Sequence, residues 1–118
     1  MAVNADWMPT LAELCGINLD TDDLDGKSLV PVIQDNSLES RHADGFCWQN
    51  GKSWASRSGS WKLLGHPVIP GQTLAPADSL FLVNLDDDPG EMENLSQRFP
   101  ERVKELQELY ARWLENNP

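Results

Sequence analysis

A chain of 118 residues with 40% apolar side chains is one small domain, or a piece of a larger one, with material for a modest core. Nine lysines and arginines stand against nineteen aspartates and glutamates, a net charge of −10. That balance argues against nucleic acid, whose binding rests on basic side chains neutralising phosphate, and against anionic membrane surfaces; a local basic pocket for a small anion stays open.

No apolar run nears the roughly 18 residues of a membrane-spanning helix. Residues 1–6 (MAVNAD) have neither a basic nor an apolar leader character, so no signal peptide is read there. Cys15 and Cys47 are too few for a disulfide scaffold and fit no CxxC motif; they read as small buried apolar residues, and the sequence leaves their pairing open.

In chain order, residues 6–16 (DWMPTLAELCG) predict a helix, with Asp6 as N-cap, Pro9 near the start and Gly16 as the stop. Trp7, Leu11, Leu14 and Cys15 fall on one face at helical spacing, and so short a helix needs that face covered. Residues 18–26 (NLDTDDLDG) are an acidic loop. A calcium loop set with Gly26 at its invariant glycine puts Thr21 first and Val32 twelfth, which removes two required ligands and the reading with them. Residues 27–34 (KSLVPVIQ) predict a short helical turn, and 35–41 (DNSLESR) a polar linker and the boundary within the chain.

Strands follow. Residues 42–49, 52–57 and 60–66 predict a three-stranded antiparallel meander, turned at Asn50–Gly51 and Ser58–Gly59, with about one tryptophan per strand (Trp48, Trp54, Trp61). Phe46 and Trp48 face one side, Cys47 the other. Residues 67–77 hold three prolines and form a loop. Residues 78–85 are a fourth strand, apolar on both faces and therefore expected to be central and covered. Residues 86–90 (DDDPG) end it in a turn: Asp bonds its own backbone, Pro fixes φ and Gly90 relieves strain, with Glu91 and Asn94 satisfying nearby backbone groups. Residues 100–116 predict the clearest helix. Val103, Leu106, Tyr110, Trp113 and Leu114 line one stripe, Leu109 lies at its margin, and Glu108–Arg112 is a favourable pair. The fold class is α+β: a small four-stranded antiparallel sheet against a C-terminal amphipathic helix, with a short N-terminal helical segment.

Four segments, in this order, carry a resemblance: 6–17 (DWMPTLAELCGI), 25–33 (DGKSLVPVI), 59–64 (GSWKLL) and 82–95 (LVNLDDDPGEMENL). They resemble the C-terminal part of the sulfatases, within the alkaline-phosphatase-like superfamily. The corresponding family patterns are D-x-x-P-T-L ending in G-I, D-G-x-S-L-x-P, G-x-W-K-L, and L-Y-D-L-x-x-D-P-x-E-x-x-N-L before a terminal helix. Val83 and Asn84 depart from the family's Tyr and Asp, which implies altered packing in a retained fold.

The resemblance implies residues 1–41 as the tail of a preceding catalytic domain and 42–118 as the C-terminal subdomain of a sulfuric ester hydrolase. The full-length enzyme would use a formylglycine, made from the Cys or Ser of a C/S-x-P-S-R motif, and a divalent cation such as calcium. Cys15 is followed by GINL and Cys47 by WQNG, so neither fits that motif; no catalytic residue and no metal ligand is assigned to this chain. Its partners would be the missing catalytic domain and a sulfated substrate, with no nucleic acid and no membrane. A periplasmic or secreted place is implied for such an enzyme, while this sequence leaves location open. Polar and aromatic residues at strand and loop edges are the substrate-facing candidates: Gln49, Asn50, Lys52, Trp54, Arg57 and His66, with His42 beside them. Lys52 and Arg57 suit an anionic group, and Trp48 or Trp54 a stacked pyranose. Against each stands a plain role as core, loop edge or solvated face. The alternative function is a free-standing glycan- or protein-binding module using exposed aromatics; a chain exposing Trp7, Leu11 and Leu14 would also dimerise through them.

Overall fold

The computed structural model describes residues 2–20, 24–35, 37–38, 42, 44–68 and 79–117. The middle of the acidic loop, with Thr21 and Asp23, most of the polar linker and the greater part of the proline-rich loop lie outside the described residues. The chain divides into two compact units, Met1–Ala43 and Asp44–Pro118. Among the described residues no helix is long and apolar enough to cross a membrane.

In the first unit a 3₁₀ turn, Asn4–Asp6, leads into α1, Trp7–Leu14, and α2 spans Val30–Gln34 with Pro31 in its first turn. Gly16 ends α1 as the sequence suggests. At φ 69° it takes the left-handed position, its N–H bonds Glu13 O at 3.1 Å, and the Ile17 N–H bonds Ala12 O at 2.8 Å. These two bonds satisfy carbonyls that the helix end leaves open.

Asp6 is not the side-chain cap expected of it. It is fully buried, and its carboxylate collects three donors: the Val3 N–H on Oδ2, and the Lys27 N–H and His42 Nε2–H on Oδ1, each at 2.8 Å. Thr10 Oγ1 donates to Asp6 O and accepts the Leu29 N–H at 2.9 Å. Asp6 and Thr10 thus tie residues 27–29 and His42 to the start of α1.

This clasp also decides which face of α1 is buried, and it is not the predicted one. Pro9, Thr10 and Ala12 are inside, whereas Trp7, Leu11 and Leu14 are 59%, 54% and 62% exposed. Cys15, expected inside, is exposed too. Thr10 is drawn inward by its bond to the Leu29 N–H, and the chain runs so close to the start of the helix that a Cβ on Gly26 would lie 2.0 Å from Ala5 O. The apolar stripe read from periodicity faces away.

In the second unit four strands form one antiparallel sheet in the order β1-β2-β3-β4: Phe46–Asn50, Ser53–Ser58, Trp61–Gly65 and Leu80–Asn84. The first strand starts at Phe46, later than expected, because His42 is buried in the first unit. Each hairpin loop also sits one residue later than expected. Asn50 pairs with Ser53 and Ser58 with Trp61, which leaves Gly51–Lys52 and Gly59–Ser60 as the loops. Gly51 and Gly59 have φ 60° and 57° while the second loop residues do not turn positive. That is the type II′ pattern, whose twist suits a hairpin.

Strand alternation sorts the sheet into two faces. Cys47, Trp54, Ser56, Trp61, Leu63 and Leu82 share the face covered by α3, Pro100–Asn116. Its core is Leu63, Leu82, Leu95, Val103 and Leu106, with Trp54, Trp61, Leu80 and Leu109 packed around it. Fully burying a leucine is worth about 2 kcal/mol. The buried Ser56 hydroxyl donates to Leu106 O at 2.8 Å and pins the helix to the sheet. On the helix's outer side the ion pairs are Arg102–Glu105 at 2.7 Å and Lys104–Glu108 at 3.9 Å, rather than the expected Glu108–Arg112.

The fourth strand is not central; it lies at the sheet's edge. Its free edge is paired all the same. The Asn94 amide accepts the Leu82 N–H at 3.1 Å and donates to Leu80 O at 3.0 Å, and the Leu95 N–H donates to Leu82 O at 2.8 Å. One side chain and one amide stand where a fifth strand would be. Replacing Asn94 by Ala should cost ~2–3 kcal/mol by urea unfolding, and Asn94→Asp, which keeps the acceptor and loses the donor, roughly half of that; equal stability of all three proteins would contradict the edge role.

A second expectation concerns pH. Burial pushes the Asp6 carboxyl up, but the Lys27 and Val3 N–H groups and His42 outweigh it and hold the group below its ordinary 3.8. The folded unit therefore binds fewer protons than the unfolded one, and Asp6 contributes stability that is present above the unfolded pKa and lost as pH falls through the folded one. Amide-exchange protection at Lys27 should drop below about pH 4. Asp6→Asn should be weaker throughout and lose that pH dependence; a native-like acid profile in the variant rules out Asp6 as the source.

Candidate functional site

The sheet face away from α3 carries Phe46, Trp48, Ala55, Arg57, Lys62, Leu64, Phe81 and Val83. A groove of about 290 Å³ runs over it, lined by Trp48, Asn50, Ala55, Leu64, Phe81 and Glu91, with Ser53, Trp54, Gly65, Pro67 and Val68 completing its wall. Alternation alone delivers the apolar floor, since Ala55, Leu64 and Phe81 are register partners across β2, β3 and β4.

One wall comes from the acidic turn. Glu91 sits there with φ 54°, so the left-handed residue of this turn is Glu91 and not Gly90. Its carboxylate takes both bonds from Lys62 Nζ, at 2.7 and 2.8 Å, and the ammonium lies 5.8 Å from the centre of the Trp48 ring. Just past β3, His66 has φ 49°; its N–H donates to Ser79 O at 2.7 Å and its carbonyl accepts the Ser53 hydroxyl at 2.8 Å. Left-handed backbone in a residue with a Cβ costs about 1 kcal/mol or more and persists only where the surroundings fix it. Here hydrogen bonds on both sides do so.

The candidates from sequence do not assemble into one site. Asn50 and Trp54 border the groove, and His66 lies between two of its lining residues. Lys52 is in the exposed β1–β2 loop. Gln49 is turned to the helix, where its Oε1 accepts the Tyr110 hydroxyl at 2.7 Å. The Trp54 ring stacks on Tyr110 at 4.1 Å and 7°, over Gly65, where a Cβ would lie 1.9 Å from the indole. Arg57 Nε donates to Gly59 O at 3.0 Å. His42 is spent on Asp6. Sequence reasoning passed over Phe81, Leu64 and the Lys62–Glu91 pair as site residues; the one available signal was the W-K-L spacing, which puts Lys62 on the face opposite Trp61.

The acidic turn does not fit a metal ion. Asp86 accepts the Ser60 hydroxyl, Asp87 the Asn84 amide at 2.9 Å, and Asp88 Oδ2 the Met92 and Glu93 N–H groups at 2.6 and 2.8 Å. These carboxylates shape a turn. Among the described residues no three His, Cys, Asp or Glu side chains are grouped to hold a metal. Nor does a cysteine suit a nucleophile: both are free thiols, and burial pushes Cys47 up to about 11 despite the nearby Arg112.

No protein-family model and no curated protein matches the chain. Solved structures do. Ps i-CgsB is 24% identical over 92% of this chain and 23% of its own, with a TM-score of 0.68; a second structure of it holds k-i-k-neocarrahexaose. BT33336S-sulf, from the metabolism of multiple glycosaminoglycans by Bacteroides thetaiotaomicron, is 24% identical over 91% of this chain and 24% of its own, with a TM-score of 0.64. BT4656, in complex with its substrate D-glucosamine-2-N,6-O-disulfate, is 20% identical over 93% and 23%, with a TM-score of 0.64. The architecture expected from the sulfatase resemblance is therefore the observed one, and the chain spans about a quarter of the length of the chains it matches.

The Lys62–Glu91 pair should behave as a coupled unit. Lys62→Met leaves an uncompensated carboxylate on an apolar face and should lower stability by ~1 kcal/mol, while Lys62→Met with Glu91→Gln should recover most of it. Additive losses in the double-mutant cycle would show that the two groups do not interact.

Proposed function

We propose that this chain is the C-terminal subdomain of a sulfatase, completing the fold of a sulfuric ester hydrolase and bordering its substrate cleft. The observation that carries the reading is the coincidence of four motifs in family order with a fold that superposes on 92% of this chain but only 23% of a solved chain such as Ps i-CgsB. The partner is the rest of such an enzyme, which would supply formylglycine and calcium. The saccharides held by the solved relatives, k-i-k-neocarrahexaose and D-glucosamine-2-N,6-O-disulfate, favour a sulfated sugar as the substrate class.

The face of α1 with Trp7, Met8, Leu11 and Leu14 is exposed and apolar, a surface of the kind that packs against further chain. On its own the chain would pair through it. Light scattering across a concentration series should show a dimer that Leu11→Glu abolishes.

The reading itself is tested by the neighbouring gene sequence and by assay. A C-x-P-S-R or S-x-P-S-R motif should be encoded upstream. The chain alone should not turn over an aryl sulfate with calcium, and co-expression with the upstream segment should restore turnover. Activity of the chain alone, or absence of the motif, overturns the proposal.

A further inference from the structure

We infer that the groove on the face of the sheet away from α3 is a subsite for one uncharged pyranose ring. The inference goes beyond the sulfatase reading and stands on the groove alone. Its floor is apolar: the Trp48 ring, 39% exposed, beside the half-buried Leu64 and Phe81, with Ala55 buried beneath them. Its rim is polar, with the exposed Asn50 amide, the Ser53 hydroxyl and the Glu91 carboxylate. At about 290 Å³ it has room for a single six-membered ring and not for a folded segment. A pyranose matches that division, since its C–H faces are apolar and its hydroxyls point out around the edge.

Charge narrows the ligand. Lys62 reaches both Glu91 oxygens, at 2.7 and 2.8 Å, so the ammonium is already matched. Each carboxylate oxygen keeps a further lone pair, which leaves Glu91 an acceptor for ligand hydroxyls. A sulfated ring would bring its anion against a carboxylate whose counter-ion is taken. A purely aliphatic or aromatic ligand would bury the Asn50 amide without a partner and offer nothing to the remaining Glu91 lone pairs. The two left-handed residues outside glycine among the described residues, Glu91 and His66, stand in the rim and between the lining residues Gly65 and Pro67. Left-handed backbone of this kind gathers at ligand sites more than elsewhere, and one of the two residues, Glu91, lines the groove itself.

The test is an NMR titration of the 118-residue chain with lactose, cellobiose and N,N′-diacetylchitobiose, each compared with its 6-O-sulfated form, following the indole N–H signals. At least one neutral sugar should shift Trp48 saturably, with a Kd in the millimolar range. Trp48→Ala should weaken binding about tenfold or more, Trp48→Phe less, and Trp7→Ala not at all. Trp48→Phe keeps the test informative if the alanine variant folds poorly. Glu91→Gln should weaken the neutral sugar and narrow the gap to the sulfated one. No saturable shift at Trp48 with any neutral sugar would mean the groove is a packing surface, and would overturn the inference; so would equal or tighter binding of the sulfated forms.

Discussion

The free edge of β4 is the constraint on which the second unit depends. A strand with apolar side chains on both faces and open backbone groups along one side is a template for wrong pairing. Asn94 closes it by copying the hydrogen-bond pattern of a strand with one amide, and Leu95 adds the next bond from its own backbone. Because Leu95 must lie there to make that bond, its side chain drops into the core beside Leu63 and Leu82. Pro100 then starts α3 at a place from which Val103 and Leu106 reach the same core. Turn, edge and helix docking are one device, and Asp88 serves it by accepting the Met92 and Glu93 N–H groups of the turn.

The first unit solves a similar problem with a carboxylate. Residues 27–29 form no strand or helix, so their N–H groups need side-chain acceptors if they are to be buried. Asp6 and Thr10 provide them. An ionised carboxylate that is fully buried is costly unless each oxygen is bonded, and three donors meet that condition here. In both units, then, the acidic and amide side chains that look like chemistry in the sequence are occupied within their own turns and edges, while the ion pair beside the groove, Lys62 and Glu91, joins two residues 29 apart.

This explains what was legible. Elements came from local signals: the Gly16 stop, the glycine turns, the 100–116 stripe and the family-like order of the motifs all survive in the structure. What failed were inferences from one-dimensional pattern to environment. The stripe Trp7–Leu11–Leu14 has helical period, yet the bonds made by Asp6 and Thr10 turn another side of α1 inward, so the stripe faces out. Two apolar faces on residues 80–84 suggested a central strand; the edge position was hidden because its cover is a side chain, not a strand. The six substrate candidates were chosen for residue type, five along β1, β2 and the loop between them and His66 just past β3, and alternation then parted Gln49 and Trp54 from Asn50 and Arg57. The groove residues are paired across strands, a relation that spacing along the chain does not display.

The strand order β1-β2-β3-β4 also bears on how quickly the second unit assembles. Every ladder joins neighbours in sequence, and the first two loops have two residues each. Closing such hairpins takes microseconds. The longer connection from Gly65 to Leu80 carries more closure entropy, and the edge strand it delivers is the one that Asn94 must then seal. On loop lengths alone the three-stranded meander is expected to form first, with the docking of β4 and residues 94–106 as the later step. Until that step completes, Leu63 and its neighbours stay open to solvent and to other chains, so the time spent before Asn94 engages sets how exposed a nascent copy is to aggregation.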